Sequence, residues 1–256
     1  NFIKNRKKKI PYSHFSNIGF YLKGMEDIES FLAKSLEDGE KKQVGPNGGD
    51  YYKLSTPEGV EMWTYLNDNK IATFTPYFKS KNVNYVRIEE GVESRKTPWD
   101  GNFVARANPN DKDFPFVFAS PDFFCRSSQQ FPIDVPLQLT AFAERIAVYP
   151  DPDAYHKDKR GPRFPLGSFN SIGMADNEST PQPYDMLTGT VEEAQVVKNS
   201  LTGKKFYWLA VKSYSVIIDV VVDKRLLKSL PNKGDVTKIA AWLAGYWKEE
   251  RQEEVS

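Results

Sequence analysis

Only one stretch of this 256-residue chain carries a clear helical stripe, while almost every other patterned stretch alternates with a period of two. Between residues 25 and 36, Met25, Ile28, Phe31, Leu32, Ser35 and Leu36 recur at three- and four-residue spacings. That places them on one face of a helix, which Gly39 ends. Just upstream, Ile18, Phe20 and Leu22 alternate with Asn17, Gly19 and Tyr21, the pattern of a strand with one face against that helix. Two more strands are expected over 51–54 and 61–66, joined by Thr56-Pro57-Glu58-Gly59, where proline followed by glycine suits a tight turn. Strands follow over 82–88, 102–107 and 114–119, the last with Phe114, Phe116 and Phe118 on one face. Such a chain must bury the faces of sheets, so its expected class is α+β.

A proline-rich stretch over 121–136 reads as a domain boundary. Beyond it come a long strand over 137–149 and a poorly patterned segment over 150–185, expected to be a loop or flap. Strands over 189–197 and 205–212 flank a turn at 199–203, and 215–222 is dense in branched residues suited to a buried strand. Asp223 can cap a short helix reaching Leu230, because its carboxylate accepts free amide hydrogens of a first helical turn; a last strand region spans 235–247. Three meandering strands, a short helix and further strands resemble a small Greek-key barrel of the OB type. The expected organisation is therefore a basic flexible head (1–12), an N-terminal domain (13–122) and a mostly β, OB-like domain (137–248).

Composition narrows the partners. A formal net charge of +1 gives no global field to draw the chain to nucleic acid or anionic lipid. No apolar run approaches the roughly 20 residues of a membrane-crossing helix, so no membrane partner is expected. The single cysteine, Cys125, excludes an internal disulfide, and with no leader-like segment read at the start a cytoplasmic setting is expected. Lys4, Arg6, Lys7, Lys8 and Lys9 are offset by Glu249, Glu250, Glu253 and Glu254; both runs read as solvated termini, the first with a second reading as a nucleic-acid arm.

Two segments carry a family resemblance. Asn17-Ile18-Gly19-Phe20-Tyr21-Leu22-Lys23-Gly24-Met25-Glu26 and Tyr52-Lys53-Leu54-Ser55-Thr56-Pro57-Glu58-Gly59-Val60-Glu61-Met62-Trp63 resemble the first strand, helix start and closing hairpin of a βαβββ half of the vicinal oxygen chelate superfamily, the glyoxalase and bleomycin-resistance proteins. The resemblance implies paired halves curved around a pocket, the second half lying within 71–122 or coming from a second copy in a homodimer. It also implies metal ligands at the positions of Asn17 and Trp63. An amide is a poor transition-metal ligand and an indole has no free lone pair, so the family's metal site is expected to be lost; His14 and Glu61 are the alternative ligands. With Ile18, Phe20, Leu22, Met62 and Leu66 on the helix side, Asn17, Tyr21, Tyr51, Lys53, Glu61, Trp63 and Tyr65 face the other way. That face is either a pocket for an organic ligand or a surface packed on the rest of the molecule, packing being the commoner fate of such a face.

Other chemistry is thinly represented. There is no glycine-rich phosphate loop, His-Glu-x-x-His helix or Gly-x-Ser-x-Gly elbow. Cys125 beside Phe123 and Phe124 reads as a small apolar residue, and its pairing with His14 or His156 as a dyad has no support in spacing. Asp151, Asp153, His156 and Asp158 could hold a divalent ion, but Lys157, Lys159, Arg160 and Arg163 compete for those carboxylates. Trp208 with Lys204, Lys205 and Lys212 is the one cluster that could stack and neutralise a nucleic acid, in a domain whose charges otherwise balance. The expected function is a non-catalytic binding protein for a small organic ligand or another protein, without a cofactor. An OB-type single-stranded nucleic-acid binder and a metal-dependent lyase, isomerase or dioxygenase are the alternatives.

Overall fold

The computed structural model describes residues 12–44, 48–94, 99–107, 115–172 and 181–248. The basic head (Lys4, Arg6, Lys7, Lys8, Lys9), the acidic tail and Phe114 lie outside the described residues. Helix α1 (Met25–Asp38) leads into an antiparallel meander of β1 (Glu40–Gln43), β2 (Asp50–Ser55), β3 (Val60–Asn67) and β4 (Lys70–Phe78). Then come β5 (Asn84–Glu93), β6 (Gly101–Arg106), β7 (Pro115–Ala119), the one-turn helix α2 (Phe123–Arg126) and the long β8 (Ile133–Tyr149). Helix α3 (Pro152–Lys157) and β9 (Phe169–Ser171) precede β10 (Tyr184–Lys198), β11 (Lys205–Ser213), β12 (Val216–Val222) and β13 (Val236–Tyr246). The fold is thus α+β, mostly strand. No helix among the described residues is long and apolar enough to cross a membrane.

The strands β5 to β13 form one sheet that closes on itself. β8 pairs with β13, β13 with β10, β10 with β11 and β11 with β12, all antiparallel, and β12 returns to β8 in parallel through Asp219–Thr140 to Val221–Phe142. A second circuit leaves β8 through β5, β6 and β7 and rejoins β13 at Ala244–Ala119. The sheet therefore includes the end of the proline-rich stretch at which a domain boundary is expected, since β5 pairs with the first residues of β8, Ile133 to Leu137. Period-two alternation sorts the side chains into two layers. Leu139, Ala141, Leu209, Val211, Ile218, Val220, Ile239 and Leu243 fill the interior, whereas Phe142, Phe206, Trp208, Val221 and Ala244 point outward.

That outward layer is not bare. The β1–β4 sheet lies over it, with Phe78 edge-on to Phe206 at 5.9 Å and the Thr140 hydroxyl donating to the Phe78 carbonyl at 2.8 Å. The other side of the β1–β4 sheet carries α1, where Ser35 meets Thr64 at 3.0 Å and Phe31 sits edge-on to Phe20 at 4.8 Å. Ile28, Phe31, Leu32 and Leu36 of the expected stripe are half-buried, but Met25 at its start is 66% exposed.

The expected first strand does not form. Residues Ser16–Ile18 make a turn of 3-10 helix closed by Gly19 at φ 86°, and no residue from 16 to 22 enters a sheet. Ser13 and Ser16 exchange side-chain-to-backbone hydrogen bonds that stabilise the turn. The Ile18 and Gly19 carbonyls are claimed by the Asn199 amide (2.7 Å) and the Thr202 hydroxyl (2.9 Å) of the β10–β11 loop. Local side-chain bonds and a left-handed glycine thus outcompete the alternating pattern.

Candidate functional site

The face of β3 opposite α1 is aromatic and acidic as expected, but it is closed. Glu61, Trp63 and Tyr65 are 6%, 3% and 1% exposed. Tyr65 stacks on Tyr51 (4.6 Å between ring centres), and Phe124 and Tyr246 lie against Tyr65 and Trp63, each at 5.8 Å. The Tyr77 hydroxyl donates to the Gln138 carbonyl at 3.0 Å, tying this face directly to β8. Each large ring has some 150–250 Å² to remove from water, which favours packing over an open pocket wall. Lys53 sits at the edge, 3.3 Å from Glu40 and 5.6 Å from the Trp63 ring centre.

The remaining residues of that expected pocket have structural duties. The Asn17 amide donates to the Ala143 carbonyl at 3.0 Å and its oxygen accepts from the Asp223 backbone N–H at 2.9 Å. It thereby bridges β8 and β12 just past the end of their parallel pairing. Tyr21 donates to Asp223 at 3.4 Å, and the Arg225 guanidinium, paired with Asp223, lies between the Tyr12 and Tyr21 rings at 4.8 and 4.7 Å.

His14 and Glu61, the alternative metal ligands, have separate partners. Glu61 accepts from the Trp63 indole at 2.8 Å and from Ser55 at 3.4 Å, and burial pushes its carboxyl up against the opposing pull of that indole. His14 lies instead on Trp242 and Glu144. Among the described residues no three His, Cys, Asp or Glu side chains are grouped to hold a metal ion. In the 150–185 segment, Asp151 caps α3 by accepting from the Ala154 N–H, and Asp158 takes Arg160 and the Tyr149 hydroxyl. Those two carboxylates therefore already have partners.

The Trp208 cluster is also divided. Lys204, Lys205 and Lys212 are exposed, but Trp208 is 1% exposed. Its indole donates to Asp219 at 2.6 Å, and the Lys81 ammonium sits 3.7 Å above its ring centre. Asp219 also accepts from Ser80, from the Lys81 and Asn82 backbone N–H groups and from the Asn82 amide. Trp208 and Asp219 thus dock the segment after β4 onto the barrel, and no base can stack on that ring without dismantling the contact.

Among the described residues a cleft of about 540 Å³ opens at the other edge of the two layers. One wall is the 12–15 segment, another is Phe74–Thr75–Pro76 at the free edge of β4, and the floor comes from β8, β10 and β13 through Glu144, Tyr184 and Trp242. The His14 imidazole stacks on the Trp242 indole, with ring centres 4.4 Å apart and planes within 14°. Its Nε2 is 3.5 Å from a Glu144 oxygen. Phe15 and Phe74 meet at 5.5 Å.

Glu144 reaches the cleft because β8 is irregular there. Ala143 pairs with Ala241 and Arg145 with the adjacent Ala240, which leaves Glu144 as the extra residue of a β-bulge. A bulge interrupts the in-out alternation and re-aims a side chain. Burial lowers the pKa of His14 and Glu144 opposes that, while burial first and then the nearby Glu144 carboxylate raise the Tyr184 phenol. The cleft therefore offers a neutral imidazole, a phenol and one carboxylate among aromatic walls. Such a set can bind and can hand a proton along hydrogen bonds.

Comparison with protein-family models, curated proteins and solved structures finds no match to the chain. Sequence reasoning nominated only His14 and Asn17 among the cleft residues. Glu144 did leave a trace: the consecutive charges Glu144-Arg145 break the alternation of an otherwise regular strand. Phe74, Tyr184 and Trp242 left none, because three distant strands bring them together.

Proposed function

We propose that this is a binding protein for a small organic ligand, and that its site is the cleft between the 12–15 segment, the edge of β4 and the bulge of β8. The observation that carries the reading is the cleft itself. Its volume falls within the roughly 300–1,000 Å³ typical of small-molecule sites, and its lining combines aromatic walls with few polar groups. The β3 face, by contrast, has no room left. Ligand-observed NMR against a library of small aromatic compounds tests the reading. Binders are expected, and their signals should weaken when Phe74→Ala or Trp242→Ala removes a wall. Binders indifferent to both substitutions would place the site elsewhere.

We also infer that the circuit β8–β13–β10–β11–β12 is an OB-like barrel. The meander β10–β11–β12, the short 3-10 turn Lys224–Leu226 capped by Asp223, and the return through β13 support this reading. The closing strand β8 precedes the meander in the chain. In OB barrels the face of the second and third strands takes oligonucleotides. The outward face of β11 and β12 is covered by the β1–β4 sheet, which favours a ligand other than nucleic acid. The vicinal-oxygen-chelate likeness of the N-terminal unit rests on α1 packed against β2 and β3, without the first strand of the βαβββ pattern. The barrel of the same chain covers its aromatic face, so that face needs no second copy to complete it.

A further inference from the structure

We propose that the cleft is selective for organic cations, taking an ammonium group at Glu144 with the apolar body of the ligand against Phe15, Phe74 and Trp242. This rests on the small-molecule reading of the same cleft and adds the ligand's charge. The first support is the charge inventory. Among the side chains lining the cleft, Glu144 is the one acid and there is no lysine or arginine. The Arg225 guanidinium, which lies over the ring of the lining residue Tyr12, is paired with Asp223. Of the other titratable groups in the lining, His14 is held toward its neutral form by burial, and Tyr184 toward its neutral phenol by burial first and then by Glu144.

The second support is placement. The bulge spends an unpaired residue of a central strand on Glu144, whose side chain is 44% exposed in the cleft and makes a 3.5 Å contact to His14. Enough of the carboxylate faces the opening to receive a donor. The Asn17 amide, the other strong polar group in the lining, is spent on the Ala143 carbonyl and the Asp223 N–H. Ligand charge is therefore left to Glu144.

The third support is the walls. Aromatic faces present negative potential and attract a cation within about 6 Å of a ring centre, more strongly where water is excluded. An anion would meet a carboxylate and electron-rich rings. A neutral ligand would gain the walls but bring no opposite charge to offset the water that Glu144 gives up.

The test uses three probes that share a phenyl ring and a short chain: 2-phenylethylammonium, 2-phenylethanol and 3-phenylpropanoate, titrated into the full chain by calorimetry or ligand-observed NMR at neutral pH. The cation is expected to bind about tenfold more tightly than the alcohol, with the anion weakest. Glu144→Gln should erase the gap between cation and alcohol chiefly by weakening the cation, and Glu144→Lys should reverse the order in favour of the anion. Near-ultraviolet circular dichroism verifies that each variant keeps its fold. Equal binding of cation and alcohol, both weakened by Phe74→Ala, would overturn the charge selectivity and leave the small-molecule cleft standing. A preference for the cation that survives Glu144→Gln would also overturn it. Failure of all three probes to bind would overturn the cleft as a site for such ligands, and the inference with it.

Discussion

The β3 face and the cleft are built from the same materials, aromatic rings around a glutamate, yet one is core and the other is open. On β3 the Trp63 indole donates to Glu61 two residues away, Tyr65 stacks on Tyr51, and Tyr246 and Phe124 cover the rings. The polar atoms of Glu61, Trp63 and Tyr65 are met from that neighbourhood, Glu61 by the Trp63 indole and Ser55 and the Tyr65 hydroxyl by the Gly48 carbonyl, so the surface can be covered at little cost. In the cleft, the bulge leaves Glu144 half-exposed toward the opening, with donors only from other segments, His14 at 3.5 Å and the Tyr184 hydroxyl. The difference teaches that composition alone does not separate a pocket from an interlayer core. What separates them is whether the acid finds its donor within the same face.

Truncating the matching rings should break that comparison most visibly. Trp63→Ala opens a void between the two layers and strips Glu61 of its main donor, so a loss of about 3–5 kcal/mol is expected in chemical denaturation. Trp242→Ala removes a ring that is only half-buried and should cost less, about 1–2 kcal/mol, while altering ligand binding. Equal losses from the two would show that the cleft is as much a part of the core as the β3 face. Trp63→Phe separates the terms further, because it keeps an aromatic ring between the layers while removing the N–H donor and part of the ring volume.

Why one region was legible and the other was not follows from the range of the interactions. Helix α1 and its end at Gly39, the β2–β3 hairpin with its turn at residues 56–59, and the β10–β11–β12 meander all appear close to where spacing and turn residues put them. Each is closed by contacts between neighbours in sequence. The residues expected to face away from α1 on β3 do so, since strand alternation is also local. The 17–22 segment failed because Gly19 and the serine turn are read correctly only with the distant Asn199 and Thr202 in view. The cleft failed for the same reason: the bulge at Glu144 is defined by the register of β13, roughly a hundred residues away.

Strand β10 carries the comparison into two adjacent residues. Tyr184 lines the cleft, while Asp185 turns inward with Leu187 and is completely buried. Neither Asp185 oxygen makes a hydrogen bond of good geometry among the described residues, and burial pushes its pKa well above the ordinary carboxylate range, eased only slightly by Ser171. The sign follows from which state binds the proton. Below the unfolded-state pKa of about 4 the carboxyl is protonated in both states, and its contribution to stability is fully present. As pH rises, the unfolded chain ionises freely while the folded one resists, so stability falls by up to about 1.4 kcal/mol per pH unit until the folded pKa is passed. Denaturation midpoints for Asp185→Asn should lack this decline, and the gap between variant and parent should widen from pH 4 toward pH 7. A constant gap would mean that Asp185 finds a compensating partner.

The smallest effect is expected where function is proposed. Glu144→Gln keeps the size of a half-exposed side chain and weakens only its contacts to His14 and Tyr184, so its stability should stay within about 0.5 kcal/mol of the parent. His14 gives that substitution a pH signature. Burial lowers its folded pKa, so on acidification the unfolded chain takes up a proton first, near pH 6.5, and stability declines below that point. Glu144 opposes the lowering, so without its charge the folded imidazole should resist protonation further and the acid-side decline should extend to lower pH. His14→Gln should abolish the decline in either background. If Glu144→Gln instead destabilised the chain at neutral pH as severely as Trp63→Ala, Glu144 would be a structural acid like Glu61, and the contrast between the covered face and the open one would collapse.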